Sequence, residues 1–195
     1  MEKDWGMAMF IDLTLKVTPE MVEKAQGNSN KALAGHIGTH FDVMDKEFPL
    51  DYFERDGIVF DVIEVMDREI CSSDIDLDMV ENGMFVAFHT GFLDKVGYGG
   101  KKYFSEHPQL SVSLIEALVE KGISIIGIDF AGVRRGKEHT PKDQYCADRG
   151  VFIVENLCNM GAVLGGRPYS RFAANTYPVK YTGMTGLPCR VAAKI

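Results

Sequence analysis

The chain has 195 residues, one domain's size and near the upper end of what a single hydrophobic core serves. Hydrophobic residues make up 46% and aromatic residues 10%, which excludes general disorder. A formal charge of −7, from 28 acidic and 21 basic residues, argues against a non-specific nucleic-acid binder, which needs a basic face for the phosphates.

From the N-terminus, MEKDWGMAMFIDLT carries acids and breaks its apolar character too early for a signal peptide. Thr18-Pro19 has the form of a helix N-cap followed by proline at the first helical position. Gly57 to Val65 and Met84 to Thr90 are short runs rich in Val, Ile and Phe that predict strands. Ser111 to Lys121 predicts a helix with Ile115, Leu118 and Val119 on one face, a Ser113-to-Glu116 capping box and Gly122 as its stop. A third strand is expected at Ile123 to Phe130, a helix start at Thr140-Pro141 and a fourth strand at Val151 to Leu157. This alternation predicts an α/β fold with a mixed sheet. With no internal repeat or linker, it predicts a single domain over residues 1–195.

No apolar run reaches the roughly 18 residues of a membrane span, so no membrane association is expected and the expected location is the cytoplasm. Cys71, Cys146, Cys158 and Cys189 lie far apart without a CxxC pair, which reads as buried or incidental thiols rather than disulfides or a zinc knuckle.

Gly35-His36-Ile37-Gly38-Thr39-His40-Phe41-Asp42 stands apart from the rest of the chain. In an extended segment His36, His40 and Asp42 point to one side, and two imidazoles with a carboxylate can hold a divalent metal with a position left open for water. Gly38 allows a backbone bend or close approach of a ligand. The alternative is two satisfied histidines and a turn aspartate. Far downstream, Glu155 interrupts the apolar run Val151-Phe152-Ile153-Val154, where a carboxylate needs a cation, a hydrogen-bond network or a metal, unless it faces outward at the strand end.

These residues resemble the cyclase superfamily that includes bacterial kynurenine formamidase and isatin hydrolase. Its signature H-x-G-T-H-x-D-x-P-x-H is reproduced through seven positions by His36 to Asp42. Ile11-Asp12-Leu13-Thr14, Phe88 to Phe92, Tyr103-Phe104 through Ser111, Ile126 to Asp129, Val154 to Met160 and Gly186 to Arg190 are similar to further family segments in the same order. The resemblance implies a swivelling β/β/α-type fold. It also implies a zinc- or manganese-dependent hydrolase that opens an amide or lactam C–N bond in a small cyclic or aromatic substrate, working as a homo-oligomer, dimer or tetramer. By the same resemblance His36, His40 and Asp42 hold the first metal, while Asp42 bridges to a second that Glu155 also binds.

Two departures stand out. Twelve residues before Glu155, where the family has a histidine ligand, this chain has Asp143. Asp143 is either a ligand, shifting the site toward oxygen-rich coordination, or an acid stabilising the helix start at Thr140; His139 is a further candidate. After Asp42 the family's x-P-x-H becomes Val43-Met44-Asp45-Lys46. Lys46 replaces the general acid/base, either as a proton carrier whose pKa a nearby dication lowers or as a solvated charge. The alternative to hydrolysis is a non-catalytic metal- or ligand-binding member of the same fold. Cys146 with His139, His89 and His107 are weaker candidates for the site.

Overall fold

The computed structural model describes residues 9–25, 35–65 and 67–195; residues 1–8, part of the N-terminal stretch weighed as a signal peptide, lie outside them. In chain order the elements are β1 (Phe10–Asp12), α1 (Pro19–Ala25), β2 (His40–Asp42), β3 (Glu54–Asp61), β4 (Phe85–His89), α2 (Phe92–Val96), α3 (Lys101–Ser105), α4 (Val112–Glu120), β5 (Ile125–Ile128), α5 (His139–Ala147), β6 (Phe152–Glu155), α6 (Met160–Leu164), β7 (Tyr169–Pro178) and β8 (Gly186–Lys194). No described helix is long and apolar enough to cross a membrane.

All eight strands join one mixed sheet in the order β1-β8-β2-β6-β5-β4-β3-β7. A further pairing of β7 with β8 closes seven of them into a barrel, leaving β1 attached outside. Closure depends on the length of β8. Its first residues, Gly186 to Pro188, pair with β2, its last, Ala192 to Lys194, pair with β1, and its other edge runs along β7.

The pairs β3–β4, β4–β5 and β5–β6 are parallel, and β4, β5 and β6 are buried along nearly their whole length. Burial on both faces explains why these strands read as continuous apolar runs. Along them successive side chains divide between two cores. Phe41, Val59, Phe85, Ala87, Ile125, Val154, Phe172 and Val191 come from all seven closed strands and fill the barrel interior. Ile58, Val86, Phe88, Ile126, Ile128 and Ile153 face outward under a helical layer that includes Leu114, Ile115 and Leu118 of α4. Gly127 belongs to the interior packing, because a Cβ there would meet Leu157 and the Phe85 ring at 2.8 Å.

The predicted helices form, two of them with shifted starts. Thr18 caps α1 as expected, its Oγ1 accepting the Met21 N–H. In α4 the cap is Ser111, whose Oγ accepts the Leu114 N–H, and not the expected Ser113; two serines at alternate positions offer the same signal and the extended backbone at Ser111 decides. The helix expected to open at Thr140 opens at His139, with Pro141 in its first turn. Strand β3 begins earlier than the apolar run, because Glu54, Arg55 and Asp56 pair with Asn175, Ala174 and Ala173 of β7.

The capping geometry makes a direct prediction. Ser111→Ala should destabilise the fold by about 1 kcal/mol in a denaturant titration, whereas Ser113→Ala should leave the transition within a few tenths.

Candidate metal centre

Strand β2 carries the site. In its register with β6, His40 lies opposite Glu155, Phe41 opposite Val154 and Asp42 opposite Ile153. Alternation sends Phe41 and Val154 into the barrel and leaves His40, Asp42 and Glu155 on the outer face. Helix α5 packs over that face and brings His139 and Asp143, four residues apart on one helical side. His36 arrives from the turn before β2, where Gly38 adopts φ +68°, the left-handed bend expected of it.

The donor atoms converge closely. His36 Nδ1 lies 2.9 Å from His40 Nε2 and 3.0 Å from Asp42 Oδ1. His40 Nε2 lies 3.6 Å from Asp42 Oδ1 and 3.5 Å from Glu155 Oε2. His139 Nε2 is 3.0 Å from Asp143 Oδ2 and 3.4 Å from Glu155 Oε1. Two overlapping donor sets result, His36–His40–Asp42 and Asp42–His139–Asp143, each with its ligand atoms within 4.8 Å of one another. Asp42 is common to both, and Glu155 touches a histidine of each.

The opposite nitrogens of the first pair are fixed. His40 Nδ1 donates to the Gly38 carbonyl at 2.9 Å, and His36 Nε2 lies 3.0 Å from Thr185 Oγ1, so His40 Nε2 and His36 Nδ1 face the carboxylates. Thr185 carries no signal in the sequence; it reaches the site from the loop before β8.

Asp42, Asp143 and Glu155 are at most 4% exposed, and Asp42 Oδ2, Asp143 Oδ1 and Glu155 Oε1 have no hydrogen-bond partner in the protein. Buried carboxylate oxygens in that condition are costly without a cation, and three imidazoles with three carboxylates are donors that a divalent metal accepts. The residues therefore fit a divalent metal.

Titration follows the same crowding. Burial opposes the charged form of His40, yet hydrogen bonding to Asp42 and the fields of Asp42 and Glu155 lift its pKa to about 9. His139, likewise disfavoured by burial, is raised to about 11 by Asp143 and Glu155. Burial pushes Asp143 up to about 7 and raises Glu155, with Asp42 adding to both. For Asp42 the bonds from both histidines outweigh burial and hold its carboxyl well below the usual range.

The Lys46 ammonium lies 3.0 Å from Asp45 and 2.7 Å from Asp148, at the C-terminal end of α5, and these carboxylates raise its pKa instead of lowering it. Pairing of this kind favours the charged form of Lys46 and matches the second of its two expected roles, a solvated charge. Cys146 is buried and its thiol is pushed up to about 12, so it forms no nucleophile with His139. His89 pairs with Asp61 at 3.3 Å. His107 stacks on Phe130, donates to the Pro108 carbonyl and is lowered to about 4 by burial. Neither belongs to the two donor sets.

A closed barrel carrying a histidine–carboxylate centre on its outer face defines the class of protein. The chain belongs to the family described as "Putative cyclase", whose pattern matches residues 11–134, more than half of its length. Among solved structures, it is similar to one described as "The Structure Of Potential Metal-Dependent Hydrolase With Cyclase Activity", with 25% identity and a TM-score of 0.73 over 96% of this chain and 98% of that one. It also shares the fold of a predicted metal-dependent hydrolase from Bacillus stearothermophilus (22% identity, TM-score 0.71, 97% and 99% covered). The isatin hydrolase A of Labrenzia aggregata, bound to benzyl benzoate, shares it too (17%, 0.72, 96% and 94%). No curated protein matches the sequence.

A coordinated imidazole must give up its proton, and His40 and His139 hold theirs up to about 9 and 11 in the metal-free protein. Zinc binding at neutral pH should therefore release protons, and affinity should rise with pH toward about 9. Calorimetric titration in buffers of different ionisation enthalpy checks this; heats independent of the buffer would contradict it.

Proposed function

We propose that the protein is a metal-dependent hydrolase of a C–N bond, amide or lactam, in a small cyclic or aromatic substrate, kynurenine formamidase-like in its chemistry. The observation that carries this reading is the set of buried carboxylate oxygens without hydrogen-bond partners, gathered around histidines whose ring nitrogens already face them. His36, His40 and Asp42 would hold one divalent cation, zinc or manganese. Asp42, His139 and Asp143 would hold another, with Glu155 beside both. When bound, such a cation supplies Lewis acidity that polarises a carbonyl and acidifies water.

The chain's own contribution is positional. His36 and His139, with side chains 27% and 36% exposed, mark the open side of a cluster whose other members are closed to solvent, so substrate enters there. Proton transfer falls to a carboxylate of the cluster, Glu155 or Asp143, because Lys46 is committed to Asp45 and Asp148. The homo-oligomeric state and the cytoplasmic location are carried with this proposal, the first on the family resemblance and the second on the hydropathy pattern of the sequence.

Elemental analysis followed by chelation and reloading tests the reading. The purified protein should hold at least one divalent ion per chain and hydrolyse an N-formyl aromatic amine, an isatin or a related lactam. Activity should be lost with a chelator and restored by zinc or manganese, and His40→Ala should lose both ion and rate. Lys46→Gln should keep the wild-type pH–rate profile. Absence of stoichiometric metal would overturn the proposal; stable metal with no turnover on any of these substrates would make the chain a binding protein.

A further inference from the structure

Asn156 follows Glu155 directly and is 1% exposed, with φ +60°, a left-handed conformation that asparagine tolerates better than most side chains. Its carboxamide reaches back to the histidine motif. Nδ2 donates to the Gly38 carbonyl at 2.8 Å, Oδ1 accepts the Tyr103 hydroxyl at 2.7 Å, and its main-chain carbonyl accepts from Thr39 Oγ1 at 2.9 Å. The Gly38 N–H in turn donates to the Tyr98 hydroxyl at 3.0 Å.

The Gly38 carbonyl is the acceptor for His40 Nδ1–H. A carbonyl oxygen has two lone pairs, and here one takes His40 and the other takes Asn156. With its N–H on Tyr98 and its carbonyl oxygen on Asn156, Gly38 is held through both of its flanking peptide groups, and the carbonyl stays turned toward the imidazole. A ring whose Nδ1 must carry the hydrogen presents Nε2 as the lone-pair donor toward Asp42 and Glu155.

We infer that Asn156 is a positioning residue: by clamping the Gly38 carbonyl it fixes the Nδ1–H tautomer of His40 and so readies Nε2 for the metal. The inference rests on the reading of His40 as a ligand for its consequence, but not for its structural content. The same residue also joins the two ligand-bearing strands, since it directly follows β6 and its side chain bonds to Gly38 at the entry to β2.

The test uses Asn156→Gly, which suits the left-handed backbone and removes only the carboxamide. Asn156→Asp serves as second variant, keeping the acceptor for Tyr103 but losing the donor to Gly38. Long-range ¹H–¹⁵N NMR of the histidine rings reads the tautomer in the metal-free protein, at a pH above the value of about 9 for His40. Zinc affinity is read by competition with a chromophoric chelator. Wild type should show the Nδ1–H form alone. Both variants should show mixed tautomers and zinc affinity lower by roughly 10–100-fold. Retention of the pure Nδ1–H form in either folded variant would overturn the inference. If wild type binds no zinc, the hydrolase proposal falls while the tautomer comparison still decides the role of Asn156. Lowered thermal stability with an unchanged tautomer would mark Asn156 as purely structural and also overturn it.

Discussion

Burial of the carboxylates of Asp42, Asp143 and Glu155, reinforced by their mutual repulsion, is the constraint around which the rest of this site is arranged. Carboxylates taken out of water require either positive charge or protons nearby. In the metal-free protein protons meet the requirement, with His40 and His139 kept charged and Asp143 and Glu155 shifted toward their neutral forms. A divalent cation answers the same requirement by displacing those protons. Metal and proton would therefore compete for one set of atoms.

That charge is tolerable only on one side of the sheet. Because side chains alternate along β2, a one-residue slip against β6 would turn His40 and Asp42 into the barrel and expel Phe41 from it. The interior has no room for such an exchange: Phe41 is fully buried there, and a Cβ on Gly127 would already strike the Phe85 ring. Close packing of the barrel thus fixes the register that presents the site. Fold and centre express a single pairing, His40 opposite Glu155.

Legibility in the sequence tracked local physics. Strands buried on both faces were readable as apolar runs, and the bend at Gly38 followed from its residue type. Glu155 was visible because a carboxylate within Val, Ile and Phe needs an explanation. Strands β7 and β8 were not readable: they mix Ala, Ser, Asn and Arg, and β7 is partly exposed. Side chains that act by reaching across the chain were hidden for another reason. Thr185, Tyr103 and Asn156 are ordinary residues until tertiary contacts give them partners. Which of its two roles Lys46 takes is hidden in the same way, since Asp148, a carboxylate that pairs with it, lies far away in sequence.

The two departures from the family pattern meet on α5. Asp143 sits on that helix one turn after His139, so a histidine and a carboxylate both reach the cluster from the region where the family places one histidine. Lys46 binds Asp148 just past the same helix, where an acid next to the helix's unsatisfied carbonyls is unfavourable alone. Gln144 completes the connection by donating to both Asp45 and Asp148. The loop that follows Asp42 is thereby tied to the helix that carries His139 and Asp143. The ion pair of Lys46 with Asp148 and the bonds of Gln144 thus bring the loop after β2 and the end of α5 together, at the helix that carries His139 and Asp143.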